Sequence, residues 1–291
     1  MKDINIFCFG FGQVAKNFIK KLNTEQYNIN LSVTSRSKSS KKIFNEINYN
    51  SYLFNSDEFD QNLVVKLKEA DHILVSIPPE NQEDLVIKNF SKFIESSKVK
   101  WITYLSATSI YGDHKGEWVN ENSKTNPISN NGIARLKAEN AWFSLEKNKK
   151  IPIQIFRLSG IYSNEKNILM RLKSGGVKVI NKKNHFFSRI HVDDISNILF
   201  KSLSKFKSGE IYNLSDDKPS TSEEVTLFGA KILNIENIEK IEVDQIKSEM
   251  LKNFYNESKK VSNKKMKSYF DYNLKFPSYI EGLNHISCNF I

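Results

Sequence analysis

Gly10, Gly12 and Ala15 stand in the hexapeptide Gly10-Phe11-Gly12-Gln13-Val14-Ala15, which follows an apolar run over residues 4–9 and opens a stretch with helical spacing. Small residues so spaced can hold a diphosphate with the main chain. Gly10 permits a tight turn, Gly12 lets the backbone come close to the anion, and Ala15 lets helix and strand pack closely. The N-terminus of the helix then turns free N–H groups toward the negative charge. The pattern carries this meaning only between a strand and a helix, and here it has that setting. A dinucleotide held at Gly10, Gly12, Gln13, Val14 and Ala15 is the expected ligand. An ordinary strand–turn–helix built of small residues is the alternative.

The second strand ends in Val33-Thr34-Ser35-Arg36-Ser37, with Lys38 next. A site for NAD usually carries Asp or Glu about twenty residues past the glycines, to hold the ribose hydroxyls. None stands there. Arg36, flanked by Ser35 and Ser37, can stack on adenine and neutralise a 2′-phosphate. NADP(H) is therefore expected ahead of NAD(H). A solvated basic loop is the competing reading.

These residues need rigid elements behind them, and the chain supplies an alternation. Strand-like stretches run over 4–9, 29–34, 51–54, 72–77, 99–105 and 151–158. Helix-like stretches run over 14–22, 57–70, 83–97 and from Pro127 to about 148. Strands separated by helices imply right-handed crossovers and a parallel sheet, and nearly all-apolar strands imply that both faces are covered. The fold class expected is α/β, a doubly wound parallel Rossmann sheet. After about residue 160 the rhythm breaks into short lysine-rich elements. The expected division is a dinucleotide-binding domain over 1–160 and mainly a substrate lobe over 161–291, with some segments returning to the sheet.

With these motifs in view, the chain resembles the atypical extended short-chain dehydrogenase/reductases of the NAD(P)-dependent epimerase/dehydratase family. The resemblance rests on an ordered set: GFGQVA, HILVSIPP, YLSATSIYGD (104–113), NGIARLKAE (131–139), FRLSGIY (156–162), RIHVDDI (189–195), KKVSNKKM (259–266) and YIEGL (279–283). The glycine turn departs from the family's common GxxGxxG, since Phe9 takes the place of the first glycine. The resemblance implies a seven-stranded sheet, a small C-terminal lobe and, in many members, a sugar-nucleotide substrate. It also implies a homodimer through the helices near 83–97 and 127–148.

Family chemistry needs a Ser or Thr and a Tyr-x-x-x-Lys pair on the long helix. The lysine and the nicotinamide charge lower the tyrosine pKa from about 10, and the tyrosine then moves a proton while hydride moves to or from the cofactor. Aligned on the Tyr-Gly of SIYG, the hydroxyl position falls on Ala107, between Ser106 and Thr108. Aligned on the Ala-Glu of LKAE, the tyrosine falls on Asn131 and the lysine on Arg135. An amide cannot shuttle a proton, and arginine stays charged. Asn131 could bond a ligand and Arg135 could reach a ribose or phosphate. Equally, Asn131 could cap the helix and Arg135 could make a surface ion pair.

Other groups could supply the proton. Tyr111 follows the fifth strand and Tyr162 the sixth, at the sheet end where such sites form. Each could equally be a packed aromatic. Ser76, Ile77 and Ser106 are expected to flank the cofactor. Arg189 is a candidate for a substrate anion. His191 and Asp193 would share a face of an extended stretch, but a metal needs more ligands than these, and Asp193 is expected to cap a helix instead. No metal is expected, and the lysine run near 259–267 reads as a solvated face.

Composition bounds the partners. The 291 residues carry 43 Lys and Arg against 33 Asp and Glu, a net charge of +10. The lysines are scattered without an interleaved aromatic platform, so nucleic acid is not the expected partner; a small-molecule substrate is. Two cysteines, Cys8 and Cys288, form no ligand spacing and no disulfide framework, which suits a reducing cytoplasm. The first twelve residues make a poor signal peptide, and no apolar run is long enough to span a membrane. A non-catalytic dinucleotide-binding sensor or scaffold is the second reading of the whole chain.

Overall fold

A computed structural model describes residues 2–175, 177–182 and 184–288. In chain order the first half runs β1 (Lys2–Phe9), α1 (Gln13–Thr24), β2 (Tyr27–Ser35), β3 (Ser40–Phe44), β4 (Ile47–Leu53), α2 (Asn62–Glu69), β5 (His72–Val75), α3 (Leu85–Glu95), β6 (Trp101–Ala107), β7 (Trp118–Val119) and α4 (Asn130–Lys149). The second half runs β8 (Ile153–Leu158), β9 (Gly160–Tyr162), α5 (Ile168–Lys173), β10 (Val179–Asn181), β11 (Arg189–His191), α6 (Val192–Ser202), β12 (Ile211–Leu214), α7 (Ser222–Ile232), β13 (Lys240–Glu242), α8 (Glu249–Tyr255), β14 (Lys260–Val261), α9 (Lys264–Phe270) and α10 (Tyr279–Cys288).

The main sheet has eight strands in the order β12-β8-β6-β5-β1-β2-β4-β3. β1 pairs in parallel with β2 and β5, β2 with β4, and β5 with β6. This is the doubly wound Rossmann arrangement that the alternation implies. It differs from a seven-stranded parallel sheet at one edge, where β3 lies antiparallel to β4. The segment read as a basic loop is thus partly a strand. Phe44 faces Ile47 across a two-residue turn, Asn45-Glu46, whose φ angles are +47° and +64°. Two consecutive left-handed residues make the turn whose twist suits a hairpin. Without the usual glycine it is easily passed over in the sequence.

The chain forms two compact units. One comprises residues 1–107, 133–157 and 195–212, and the other 108–132, 158–194 and 213–291. The first is cored by Phe7, Phe9, Phe54, Phe90, Tyr104 and Trp142, all buried. Each such side chain contributes roughly 1.5–3 kcal/mol through the water it no longer touches. α1 lays Val14, Ala15, Phe18, Ile19 and Leu22 against the sheet on one stripe. α3 starts at Asp84, whose carboxylate accepts from the Val86 and Ile87 amides and from Trp142 Nε1 at 3.0 Å. Burial leads the balance at Asp84 and pushes its carboxyl above the usual range.

The second unit is cored by Tyr162, Leu169, Val225, Tyr279, Leu283 and Ile286. The lysine run is not all solvated face here. Lys259 Nζ donates to Gly112 O at 2.7 Å and pairs with Glu257 at 2.8 Å, with only 11% of its side chain exposed. At the start of α6 the Asp193 amide donates to His191 Nδ1 at 3.2 Å, so His191 contributes to capping this helix, and the Asp193 carboxylate pairs with Lys275 at 2.8 Å. Asp194 accepts from Tyr272 Oη and from the Lys275 and Phe276 amides, which ties down the loop before α10. Among the described residues no helix is long and apolar enough to cross a membrane, and no group of three His, Cys, Asp or Glu converges as a metal site would require.

Candidate functional site

In the first unit the glycine turn joins β1 to α1. Gly10 has φ +84°, and its amide donates to Thr34 Oγ1 at 2.9 Å. A Cβ there would lie 2.7 Å from Ile77 Cγ2 and 2.9 Å from Ser76 Oγ. Ser76 Oγ in turn reaches Phe9 O at 2.9 Å. Ser76 and Ile77 therefore pack the turn from behind, and only glycine fits between them. Val14 and Ala15 face inward, at 6% and 0% exposure.

Gly12 is different. It is the N-cap of α1 with φ −83°, no side-chain cap and no acidic residue in the first turn, and a Cβ there would meet nothing within 4 Å. By contrast α3, α5 and α7 begin at Asp84, Asn167 and Thr221, each with a side chain bonded to the helix amides. The start of α1 is left open at a glycine, and the space before it is where a diphosphate would lie. The residues present fit that group.

Beside the turn lies a cavity of about 360 Å³ lined by Gly10, Ser35, Arg36, Lys16, Lys42 and Glu80, among others. Arg36 is 78% exposed and pairs with Glu80 at 3.1 Å. Ser51 Oγ donates to Ser35 Oγ at 3.0 Å. Ser37 is not part of this lining; its carbonyl accepts from Ser35 Oγ at 3.3 Å. Lys16, Lys42, Tyr49, Ser51 and Glu80 went unnoticed in the sequence. They come from separate stretches and meet only because the β3–β4 hairpin folds beside α1. The signal that could have revealed them is the alternation in KKIFNEINYN around Asn45-Glu46.

Further along the sheet, Ser106 is 2% exposed and its hydroxyl has no hydrogen-bond partner. Arg135 does not make a surface ion pair: Nη1 donates to Leu105 O at 2.8 Å, at the end of β6. One turn further along α4, Glu139 holds Arg157 in a buried pair, with Nη2 to Oε2 at 2.7 Å. Asn131 is exposed in the first turn of α4, where Ser129 Oγ, not Asn131, accepts the Gly132 amide.

In the second unit Tyr111 is fully buried and donates to Asn213 Oδ1 at 2.8 Å. Tyr162 donates to Ser278 O at 3.2 Å and packs so closely on Gly282 that a Cβ there would sit 2.2 Å from its oxygen. Burial, followed by the charge of Asp216, pushes the Tyr162 phenol up, so it holds its proton. The spacing Tyr-x-x-x-Lys recurs at Tyr111/Lys115, Tyr162/Lys166 and Tyr255/Lys259, but neither residue pair shares a helix in any of the three.

A cavity of about 1090 Å³ opens among Tyr162, Arg189, Phe187, Phe254, Tyr255 and Tyr279. Its wall also carries Lys166, Arg171, Lys178 and Lys247 against the carboxylate of Glu165. Arg189 Nη1 donates to Phe187 O at 3.1 Å and Ser220 O at 3.3 Å, and its guanidinium lies 4.8 Å from the Phe187 ring. Burial, offset in part by Asp216, lowers its pKa to about 10. The guanidinium stays charged at neutral pH, in a place fit for an anion.

An open helix start at a glycine turn, on a mostly parallel sheet, defines a Rossmann-type α/β protein. The model of the NAD dependent epimerase/dehydratase family matches residues 10–215, and the chain belongs to that family. Among solved structures it is similar to a functionally unknown conserved protein from Silicibacter pomeroyi, 27% identical over 98% of this chain and 99% of that one, with a TM-score of 0.86. It shares its fold with the UDP-glucose 4-epimerase of Thermotoga maritima, 15% identical over 99% and 98% of the two chains, TM-score 0.78. The same holds for the dTDP-glucose 4,6-dehydratase of Bacillus anthracis, solved with NAD, at 18% identity over 98% and 96%, TM-score 0.77. No protein with a curated description matches the chain significantly.

Proposed function

We propose that this chain is an NADP(H)-dependent oxidoreductase of the epimerase or reductase type, acting on a small carbonyl or sugar-nucleotide-like substrate through a non-standard active site. The observation that carries the reading is the uncapped start of α1 at Gly12, set beside a cavity with three cations and no acid from β2. When bound, the nicotinamide would give or take a hydride at a substrate carbon. The chain's own part is binding and orientation. Gly12 and the first amides of α1 hold the diphosphate, and Gly10, Ser76 and Ile77 keep that turn in shape. Arg36 meets the 2′-phosphate. Ser106 offers an unpaired hydroxyl for a ligand oxygen. Arg189 and the lysines of the larger cavity hold an anionic substrate, as the UDP-glucose of the Thermotoga maritima structure would require.

Arg36→Ala tests the cofactor assignment. Calorimetric titration should show NADPH binding weakened about tenfold or more, as expected for a charge-assisted phosphate contact, and NADH binding little changed. Equal losses would contradict the assignment. The same reading pairs α3 and α4 with those of a second copy, which sedimentation would show as a dimer.

One observation favours a second reading. Asn131 is exposed, and Arg135 is bonded to Leu105 O. Neither is a proton donor, so a dinucleotide-binding sensor without turnover fits the same cradle. A substrate screen that follows NADPH absorbance separates the two readings.

A further inference from the structure

Arg36 is not the only cation facing the smaller cavity. Lys16, from the first turn of α1, and Lys42, from β3, line it too, and neither is in an ion pair among the described residues. The hairpin that carries Lys42 is fixed against the glycine turn by aromatic packing. Phe11 lies 5.3 Å from Phe44 and 5.1 Å from Tyr49, and Tyr49 is the register partner of Lys42. Phe11, between the two glycines, thus sets the distance from diphosphate cradle to hairpin.

Among the described residues, the one carboxylate lining the cavity is that of Glu80, held on a tight turn of its own. The amides and carbonyls of Glu80 and Glu83 bond to each other at 2.9 and 2.8 Å, across Asn81 and Gln82 with φ of +48° and +64°. Pro78 and Pro79 precede it. Its main chain is braced, so only the side chain is free to leave Arg36. That bridge is cheap to break. Its partners are 78% and 36% exposed, and pairs so exposed contribute little. A phosphate monoester carries nearly two charges and matches the guanidinium fork, which makes it the stronger partner.

Resting on the NADP(H) reading above, we propose that the 2′-phosphate is selected by exchange at Arg36. In the free protein Glu80 holds the guanidinium. A 2′-phosphate, flanked by Lys16 and Lys42, takes its place and drives the Glu80 carboxylate aside. NADH offers nothing to displace Glu80, so the bridge persists beside it. Glu80 is then a specificity residue that weakens the phosphate-bearing cofactor slightly, and Lys42 is one that strengthens it.

The test is titration of NADPH and NADH into the wild type, Glu80→Gln and Lys42→Gln, with thermal unfolding to confirm that each folds. Glu80→Gln should bind NADPH about two- to fivefold more tightly and NADH unchanged, the size expected of an exposed ion pair. Lys42→Gln should bind NADPH at least about fivefold more weakly and NADH unchanged. If the wild type prefers NADPH but Glu80→Gln changes nothing, or tightens both cofactors equally, the exchange is wrong and the NADP(H) reading stands. If the wild type does not prefer NADPH, that reading falls and the exchange with it. If Glu80→Gln weakens NADH, Glu80 is a ribose ligand, and the exchange is overturned in favour of NAD.

Discussion

At the scale of single residues, the two glycines of the turn do different work, and substitution should separate them. Gly10 has a left-handed backbone and no room behind it. Gly10→Ala should cost on the order of 1–3 kcal/mol of stability, measured as a lower urea midpoint, because the strain and the clash with Ile77 add. Gly12 has ordinary φ and open space. Gly12→Val should cost only about 1 kcal/mol, the penalty of a poor N-cap without a clash, and fill the space that a diphosphate needs. The sequence made the pair legible because turn chemistry is local. It could not show that Ser37 lies outside the cavity lining or that Arg135 bonds a strand carbonyl. Those outcomes depend on strand register and on which neighbour a long side chain meets.

Among the elements that border the cofactor cavity, β3 has no counterpart in the sequence reading. Its turn, Asn45-Glu46, uses a glutamate where φ is +64°. Glu46→Gly should therefore stabilise the protein by about 0.5–1 kcal/mol, seen as a higher thermal midpoint, if the relief of the left-handed glutamate outweighs the flexibility gained by the unfolded chain. Strands β1, β5 and β6 were legible as apolar runs because both faces of a central parallel sheet are dry. An edge hairpin of mixed Lys, Asn and Ile gives no such signal. α4 and β8 hold another feature that periodicity cannot show, the Glu139–Arg157 pair, whose side chains are 2% and 5% exposed. Glu139→Leu alone should cost about 3–5 kcal/mol, since it strands a buried guanidinium. Adding Arg157→Met should recover most of that loss in the same denaturation assay.

For the molecule as a whole, acid sensitivity is built into both units. His72 in the first and His191 in the second are each lowered to about 4, chiefly by burial. The unfolded chain takes up protons at its ordinary histidine pKa of about 6.5, before the folded protein does, so stability falls as pH drops from about 6.5 through 4. Urea midpoints at pH 7 and pH 5 should show this. His191→Asn, which keeps a good helix cap, should flatten the slope. The sheet, its strand order and the glycine turn follow from patterns that any member of the fold must satisfy. The larger cavity draws its wall from stretches between residues 160 and 283, so no single stretch announces it.

The proposed function stands or falls on whether the uncapped start of α1 binds a nicotinamide dinucleotide. The direct measurement is calorimetric titration of NADPH into the wild type and into Gly12→Val, with thermal unfolding of both. Saturable one-to-one binding by the wild type is expected, and its loss in a variant that still unfolds cooperatively within a few degrees of the wild type. No binding by the folded wild type to NADPH or NADH, or undiminished binding by Gly12→Val, would contradict it.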